Sequence, residues 1–336
     1  MADAANPADG QAKQPPRLIA LDWGTTSLRA WLLGDGGTVI DSAAFPWGIM
    51  AVPDGDFAKA LATVTGPWTQ HHEALPMLAS GMVGSAQGWR EIPYVDCPAG
   101  VDELVAALKR QLAFGIPLPI VPGVTIGGAF PDVMRGEEAQ IAGALELIPA
   151  LHAHARLVLP GTHSKWVTVR DGAIVAFTTS ITGELFAVLS KHSILGRPAL
   201  AAGKTTPDPN PTPESWAAFE QGVAAIRDNP SRGLGSLLFS ARTLVLTHRM
   251  PPEVSLDYLS GLLIGDELRN ALAEQPRQDT ATLALIGERA LCQHYVRALA
   301  LFGVAEPPVI ASAAVAGLWR IAEAAALVSP RWSPPP

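Results

Sequence analysis

Apolar residues recur along the chain in short runs, each closed by glycine or a polar cluster. The run LIAL at 18–21 ends at Asp22 and the stretch WGTTS at 23–27. A second run, LRAWLL at 28–33, alternates and stops at GDGG, 34–37. A third, TVID, fills 38–41. Period-two runs joined by tight polar turns predict hairpins, so 17–41 reads as a three-stranded antiparallel start to a larger sheet. Helical spacing of apolar positions follows at 57–68, and again at 101–112 through Val101, Leu104, Val105, Leu108 and Leu112. Between them 76–80 reads as a strand running into the Gly-rich loop GMVGS, 81–85. Residues 119–123 read as a strand and turn, and 137–148 as a helix.

The opening plan then returns. RLVLP at 156–160 is an apolar strand, GTHS at 161–164 a small polar turn, KWVTV at 165–169 a strand, RDG a turn, and AIVAFT at 173–178 a third strand. Repetition of a supersecondary unit changes the fold reading from one sheet to two similar domains, each opening with a hairpin meander. The rest is mainly helical: 215–227, 235–249, 255–274 and about 291–301. A last strand at 281–286 runs into Gly287, and the Pro-rich stretch 198–213 reads as a surface loop.

Composition narrows the class. At roughly 150 residues per domain, 336 residues suggest about two domains. Charged residues are 16% and apolar ones 48%, with mean hydropathy +0.22, so disorder is excluded as the dominant state. No apolar run approaches the ~20 residues of a membrane span. Net charge is −7, which argues against nucleic acid as the main partner. Residues 1–17 carry Pro7, Pro15 and Pro16 and no apolar core of a signal segment, so 1–16 reads as a loose tail. Two distant cysteines, Cys97 and Cys292, cannot build a metal cage and fit a reducing cytoplasm.

Three motifs carry candidate chemistry. In Asp22–Ser27 an acid ends a strand, Gly24 admits close approach, and Thr25, Thr26 and Ser27 offer hydroxyls and backbone N–H groups. Such a turn can cradle an anion, and Asp22 can hold Mg²⁺ directly or through water. A plain hairpin with a capping Asp is the other reading. Gly161, Thr162, His163 and Ser164 form the second such turn, with Pro160 where the first has its acid. Two related turns suit a nucleotide clamped between two domains, and His163 and Lys165 could pair with phosphate. The third motif, DVMRGEEAQ at 132–140, opens a helix with three acids beside Arg135. Acids suit a helix N-terminus in any case. A carboxylate placed there, before the second turn, could also accept a hydroxyl proton during phosphoryl transfer. The candidates are Glu137, Asp132 and Glu138, with Glu137 placed ahead of Asp132.

These segments, together with SGMVGSAQGWREIPY at 80–94, LPGTHSKW at 159–166 and TGELF at 182–186, carry a resemblance over about 17–322. The chain resembles the 2-dehydro-3-deoxygalactonokinase family of the acetate and sugar kinase, heat-shock chaperone and actin superfamily. The resemblance implies an α/β fold of two duplicated ribonuclease-H-like, actin-like domains, with mixed sheets flanked by helices and the active site in the cleft between them. Residues 17–150 would form the sugar-acid side and 151–330 the nucleotide side. It implies ATP and Mg²⁺, with Asp22 as metal ligand and as one of the catalytic acids. Gly24–Ser27 and Gly161–Ser164 would meet the phosphates. Gly287, and Gly317 in an Ala-rich stretch, would meet the adenosine; a tightly packed helix is the other reading of that stretch.

The implied substrate is a 2-keto-3-deoxy sugar acid, phosphorylated on its terminal 6-hydroxyl in galactonate catabolism. Arg29, Arg90 and Arg135 are candidate carboxylate partners, because guanidinium offers a bidentate fork. Ser80, Gly81, Ser85 and Trp89 could line the pocket, with Glu138 beside them and Glu184 accepting from sugar hydroxyls. The expected partners are this small molecule and ATP, not nucleic acid or membrane, in a cytoplasmic enzyme; a homodimer is compatible with the sequence, which leaves the assembly open. Two rival readings are compatible with the sequence. The GEEA segment at 136–139 also resembles exopolyphosphatases, and a nucleotide-binding scaffold would share the fold. A kinase for a related sugar acid differs by one hydroxyl.

Overall fold

The computed structural model describes residues 14–70, 75–115, 117–206, 211–273, 280–311 and 313–328. The expected N-terminal tail through residue 13, the centre of the 198–213 loop, Ser312 and the Pro-rich end lie outside them.

Strand β1 (Leu18–Trp23) is buried along its whole length. It pairs antiparallel with β2 (Leu28–Leu33), which pairs antiparallel with the exposed edge strand β3 (Val39–Phe45). After helix α1 (Phe57–Thr69), β4 (Met77–Ser80) lies parallel to β1 on its other side. A strand enclosed on both faces reads as a continuous apolar run, which is why LIAL does not alternate. A parallel bridge between Ala79 and Ile120 continues the sheet. The expected strand at 119–123 shrinks to that bridge because Pro119 and Pro122 lack the N–H groups of a ladder.

The chain then forms a small third sheet that the sequence pattern does not announce. Its strands are β5 (Val95–Asp96), β6 (Val124–Ile126) and β7 (Asp132–Met134), and helix α2 (Val101–Ala113) lies between β5 and β6 in the chain. Asp132 therefore lies on a strand and not in a helical first turn. Helix α3 (Glu137–Leu147) starts only after Gly136, whose φ of 103° breaks the chain direction.

The second half repeats the first. Strands β8 (His154–Leu159), β9 (Ser164–Arg170) and β10 (Ala173–Ser180) form the antiparallel meander. Helices α4 (Thr182–His192), α5 (Arg197–Ala201), α6 (Pro213–Arg227), α7 (Leu234–Leu238), α8 (Ser240–Leu246) and α9 (Ser255–Ala273) follow. Then β11 (Thr282–Ile286) adds parallel to β8. Helix α10 (Arg289–Leu301) leads to β12 (Val309–Ile310), parallel to β11. The single helix expected over 235–249 is two short ones, and 281–286 is not the final strand, because the two-residue β12 is too short to show periodicity. The orders β3-β2-β1-β4 plus bridge and β10-β9-β8-β11-β12 share one topology and one polarity, which is the duplicated ribonuclease-H-like arrangement.

Register aligns the two hairpins. Asp22 faces Arg29, the second residue of β2, and Leu159 faces Lys165, the second residue of β9. The residue matching Asp22 is thus Leu159, one place before Pro160. The last helix, α11 (Ala313–Ala324), returns to pack on α3, β1 and β4. A core shared by the two sheets includes Leu18, Leu78, Leu157, Val167, Ile141 and Leu318. Burying these side chains contributes on the order of 2 kcal/mol each, so the helices between the sheets are anchored to both. No helix of the described residues is long and apolar enough to cross a membrane.

Candidate functional site

The two hairpin turns line one cavity of about 310 Å³. Asp22, Gly24, Thr25, Thr26, Ser27 and Arg29 come from the first hairpin, and Pro160, Gly161, Thr162 and His163 from the second. Gly81, Arg135, Glu137 and Gly287 also line it. A second lobe of about 660 Å³ opens from it and shares both turns. It extends over α4, α9 and α10, with Thr182, Phe186, Ile264, His294 and Tyr295 in its wall.

Close backbone approaches set this geometry. Gly24 N donates to Ser27 O at 2.9 Å, closing the first turn, and Ile49 N donates to Gly24 O at 3.0 Å. Gly81, at φ 95°, lies so near β1 that a Cβ there would meet Trp23 O at 2.7 Å. Only glycine accepts both that conformation and that contact. The second turn is backed by α4, where Glu184 N donates to Thr162 O at 3.0 Å, and His163 Nε2 contacts Glu184 Oε2 at 2.6 Å.

The charges are arranged in pairs. Arg29 donates to Asp22, whose own side chain is mostly buried. Glu137 Oε2 accepts from Arg135 N at 3.0 Å, and Lys165 Nζ lies 3.8 Å from its Oε1. Burial raises the Glu137 carboxyl above the usual carboxylate range, and the Lys165 ammonium opposes that rise. Glu138 is fully buried, and burial followed by repulsion from Glu137 pushes it to about 8. Its Oε2 accepts from Gly136 N at 2.7 Å. Arg135 donates from Nη2 to Ile92 O at 2.7 Å, and its guanidinium lies 4.3 Å from the Tyr94 ring centroid. This cation therefore fixes the 81–94 loop as well as edging the cavity.

Other candidates lie elsewhere. Asp132 is committed to β10: Thr179 N donates to its Oδ2 at 2.6 Å and Thr179 Oγ1 to its Oδ1 at 2.7 Å, and it does not line the cavity. Ser80 is buried at the end of β4, and Ser85 Oγ donates to Met82 O at 2.7 Å. Trp89 stacks on Phe57 with centroids 6.1 Å apart, and Arg90 borders a separate cavity of about 300 Å³ beside Tyr94. Glu184 is half-exposed beside His163, outside the cavity wall. Gly317 sits against α3, where a Cβ would meet Ala139 O at 1.7 Å. Its small size serves helix packing, so the reading of Gly317 as an adenosine contact gives way to the packed-helix one.

Sequence reasoning missed Glu267. Trp166 Nε1 donates to its Oε1 at 2.7 Å, and Thr182 and Tyr295 donate to its Oε2. Burial raises this carboxyl above the usual carboxylate range, and those hydrogen bonds oppose the rise. One signal existed: two adjacent acids, Asp266 and Glu267, inside LLIGDELR, 262–269, on a helix with apolar residues around them.

Among the described residues, no group of three or more His, Cys, Asp or Glu gathers as a metal cage. Asp22 is the carboxylate placed to contribute one oxygen to a hard cation that draws its other ligands from phosphate and water. The donor set fits Mg²⁺ in that limited way.

Comparison with known proteins gives consistent matches. The family model described as 2-keto-3-deoxy-galactonokinase matches residues 22–321. A protein of Rhizobium meliloti (strain 1021), assigned as a 2-dehydro-3-deoxygalactonokinase, is 36% identical over 312 residues, covering 91% of this chain and 96% of its own. The 2-dehydro-3-deoxygalactonokinase of Escherichia coli (strain K12) is 34% identical over 313 residues, covering 92% and 99%. A crystal structure of a Sinorhizobium meliloti protein assigned the same activity superposes with a TM-score of 0.79 at 33% identity, covering 91% of this chain and 98% of that one.

Proposed function

The chain belongs to the 2-keto-3-deoxy-galactonokinase family, and on that premise we propose how its cleft transfers phosphate from ATP to 2-dehydro-3-deoxy-D-galactonate. It is a phosphotransferase with an alcohol group as acceptor, and it uses ATP. The acceptor is the terminal 6-hydroxyl and the products are ADP and 2-dehydro-3-deoxy-6-phosphogalactonate. The observation that carries the assignment of residues is that both turns, Asp22 and Glu137 border one cavity.

The phosphates of ATP lie between the turns, where backbone N–H groups and the hydroxyls of Thr25, Thr26, Ser27 and Thr162 meet them. Asp22 would hold Mg²⁺, which would supply neutralisation of phosphate charge. Arg29, and Arg135 where it borders the cavity, face the sugar-acid carboxylate. Glu137 accepts the proton of the attacking hydroxyl as its oxygen bonds to the γ-phosphorus and the bond to the ADP oxygen breaks. Glu137 is favoured over its neighbours because Asp132 is tied to Thr179 and Glu138 is sealed from the cavity. Lys165 opposes the rise that burial imposes on the Glu137 carboxyl and so favours its proton-accepting form. The consumption of ATP fits a cytoplasmic location.

The test measures ADP release with and without 2-keto-3-deoxygalactonate, and locates the phosphate by phosphorus NMR. Sugar-dependent release and a 6-phosphate support the reading. Glu137→Gln and Asp22→Asn should each lower turnover by about 10²-fold or more in folded protein. Near-wild-type turnover in both would sink the residue assignment.

A further inference from the structure

Behind the second turn lies a buried acid that borders neither lobe of the cleft. Glu267, on α9, is 5% exposed, and both of its carboxylate oxygens accept side-chain hydrogen bonds. The donors come from three different elements. Trp166 belongs to β9, Thr182 is the first residue of α4, and Tyr295 belongs to α10. Tyr295 Oη lies 2.8 Å from Glu267 Oε2 and 2.9 Å from Ser164 Oγ. A phenol has one proton, and here it goes to the carboxylate, so Ser164 is the donor in the second contact. The chain of donors therefore runs from Ser164 through Tyr295 to Glu267.

Both ends of this network are joined to the second turn. Ser164 closes the turn and begins β9. Thr182 opens α4, and the next residue, Gly183, touches the turn: a Cβ there would lie 2.5 Å from Gly161 O and 2.8 Å from Thr162 Cα. Thr182 and Tyr295 also border the larger lobe. An apolar side chain could fill the same volume and hold α9 in place. A carboxylate adds direction, because three donors are drawn to one point and each brings its backbone with it.

We propose that Glu267 is a positioning residue for the nucleotide. It sets the Gly161–Ser164 turn and the start of α4 where the phosphates of ATP are held, without touching them. The proposal rests on the kinase reading of the cleft.

The experiment compares wild type, Glu267→Gln and Tyr295→Phe. It measures KM for ATP, KM for 2-keto-3-deoxygalactonate, kcat, and the Kd for ADP by calorimetry, with thermal melting as the check on folding. Glu267→Gln places an NH₂ where a donor already points, and Tyr295→Phe cuts the link to Ser164. KM for ATP and Kd for ADP should rise about tenfold in Glu267→Gln and by less in Tyr295→Phe, the cost of about one charge-assisted hydrogen bond in each case being concentrated at one subsite. KM for the sugar acid should stay within about twofold, because the network touches only the second hairpin and its helices. A merely structural role would lower kcat with both KM values unchanged, or raise both together, and either result overturns the proposal. If Glu267→Gln does not fold, a folded Tyr295→Phe with wild-type ADP affinity overturns it alone. Wild-type protein that binds no ADP overturns the nucleotide reading, and the proposal falls with it.

Discussion

Replacing Lys165 by methionine should move the acid limb of the kcat/KM profile to higher pH. Lys165 is 4% exposed, and methionine keeps its length and apolar stem without the charge. Its Nζ lies 3.8 Å from Glu137 Oε1. Coulomb's law at that separation, with an effective dielectric constant of about 20, gives about 4 kcal/mol in favour of the ionised carboxylate. At 1.36 kcal/mol per pKa unit this is about three units, an upper figure because water and nearby dipoles rearrange when the charge is lost. A shift of about one to two units is expected.

The direction follows from the groups around Glu137. Burial and the Asp22 charge push its carboxyl up, while Lys165 and the N–H of Arg135 hold it down. Removing Lys165 leaves the upward influences in place. A base works when deprotonated, so activity on the acid side should disappear at a higher pH than in wild type. The assay is sugar-dependent ADP release at low substrate, from pH 5 to 9, with ADP binding measured in parallel. Lys165 could also touch phosphate, which would lower the whole curve without moving its limb. A limb that stays within about 0.3 units of wild type, in folded protein, refutes the assignment of Glu137 as a base tuned by Lys165.

Three other perturbations test separate parts of the structure. Gly317→Ala drives a Cβ toward Ala139 O, 1.7 Å away, so α3 and α11 must separate; denaturant unfolding should show a loss of about 2–4 kcal/mol. Asp132→Asn removes one acceptor from Thr179 and should cost about 1–2 kcal/mol in stability while leaving kcat far closer to wild type than Glu137→Gln does, as steady-state kinetics on the two variants will show. Glu138 has a folded pKa near 8 against an ordinary 4.5, so the folded state holds its proton more tightly and stability falls as pH rises from 4.5 to about 8. Glu138→Gln removes that loss, and its melting temperature should drop less than that of wild type between pH 5.5 and pH 9. An equal drop in both proteins would contradict the assignment.

Much of this site was legible in the chain because it is built from local units. A strand, a small-residue turn and a strand are contiguous, so Asp22 and both turns could be read from spacing alone, and their recurrence announced two sheets. Glu137 was legible because Gly136 and the acids after it mark a helix start. Asp132 was misplaced by the same cue. Three acids close together suit a first helical turn, and only the φ of 103° at Gly136 separates the strand from the helix. Gly317 shows a different limit. A small residue permits close approach of a ligand or of another helix, and the sequence does not distinguish the two. Glu267 was out of reach because its partners are distant: Trp166 is 101 residues away and Thr182 is 85.

The duplication bears on how the charges beside the cleft are paired. Each hairpin keeps a cation at the second position of its second strand, Arg29 in the first and Lys165 in the other. In the first hairpin the facing position holds Asp22, and the pair closes within the hairpin. In the second it holds Leu159, so Lys165 has no acid of its own and reaches Glu137 at the start of α3. Where the first hairpin has an internal pair, the second thus has a bridge to α3. The bridge lies beside the turns, where a net charge of −7 would otherwise oppose two anionic substrates. Attraction in the cleft then comes from nearby cations and oriented N–H groups, which act over a few ångströms, while the field of the whole chain is screened within about 10 Å by salt. Weak dependence of ATP affinity on ionic strength is the measurable consequence.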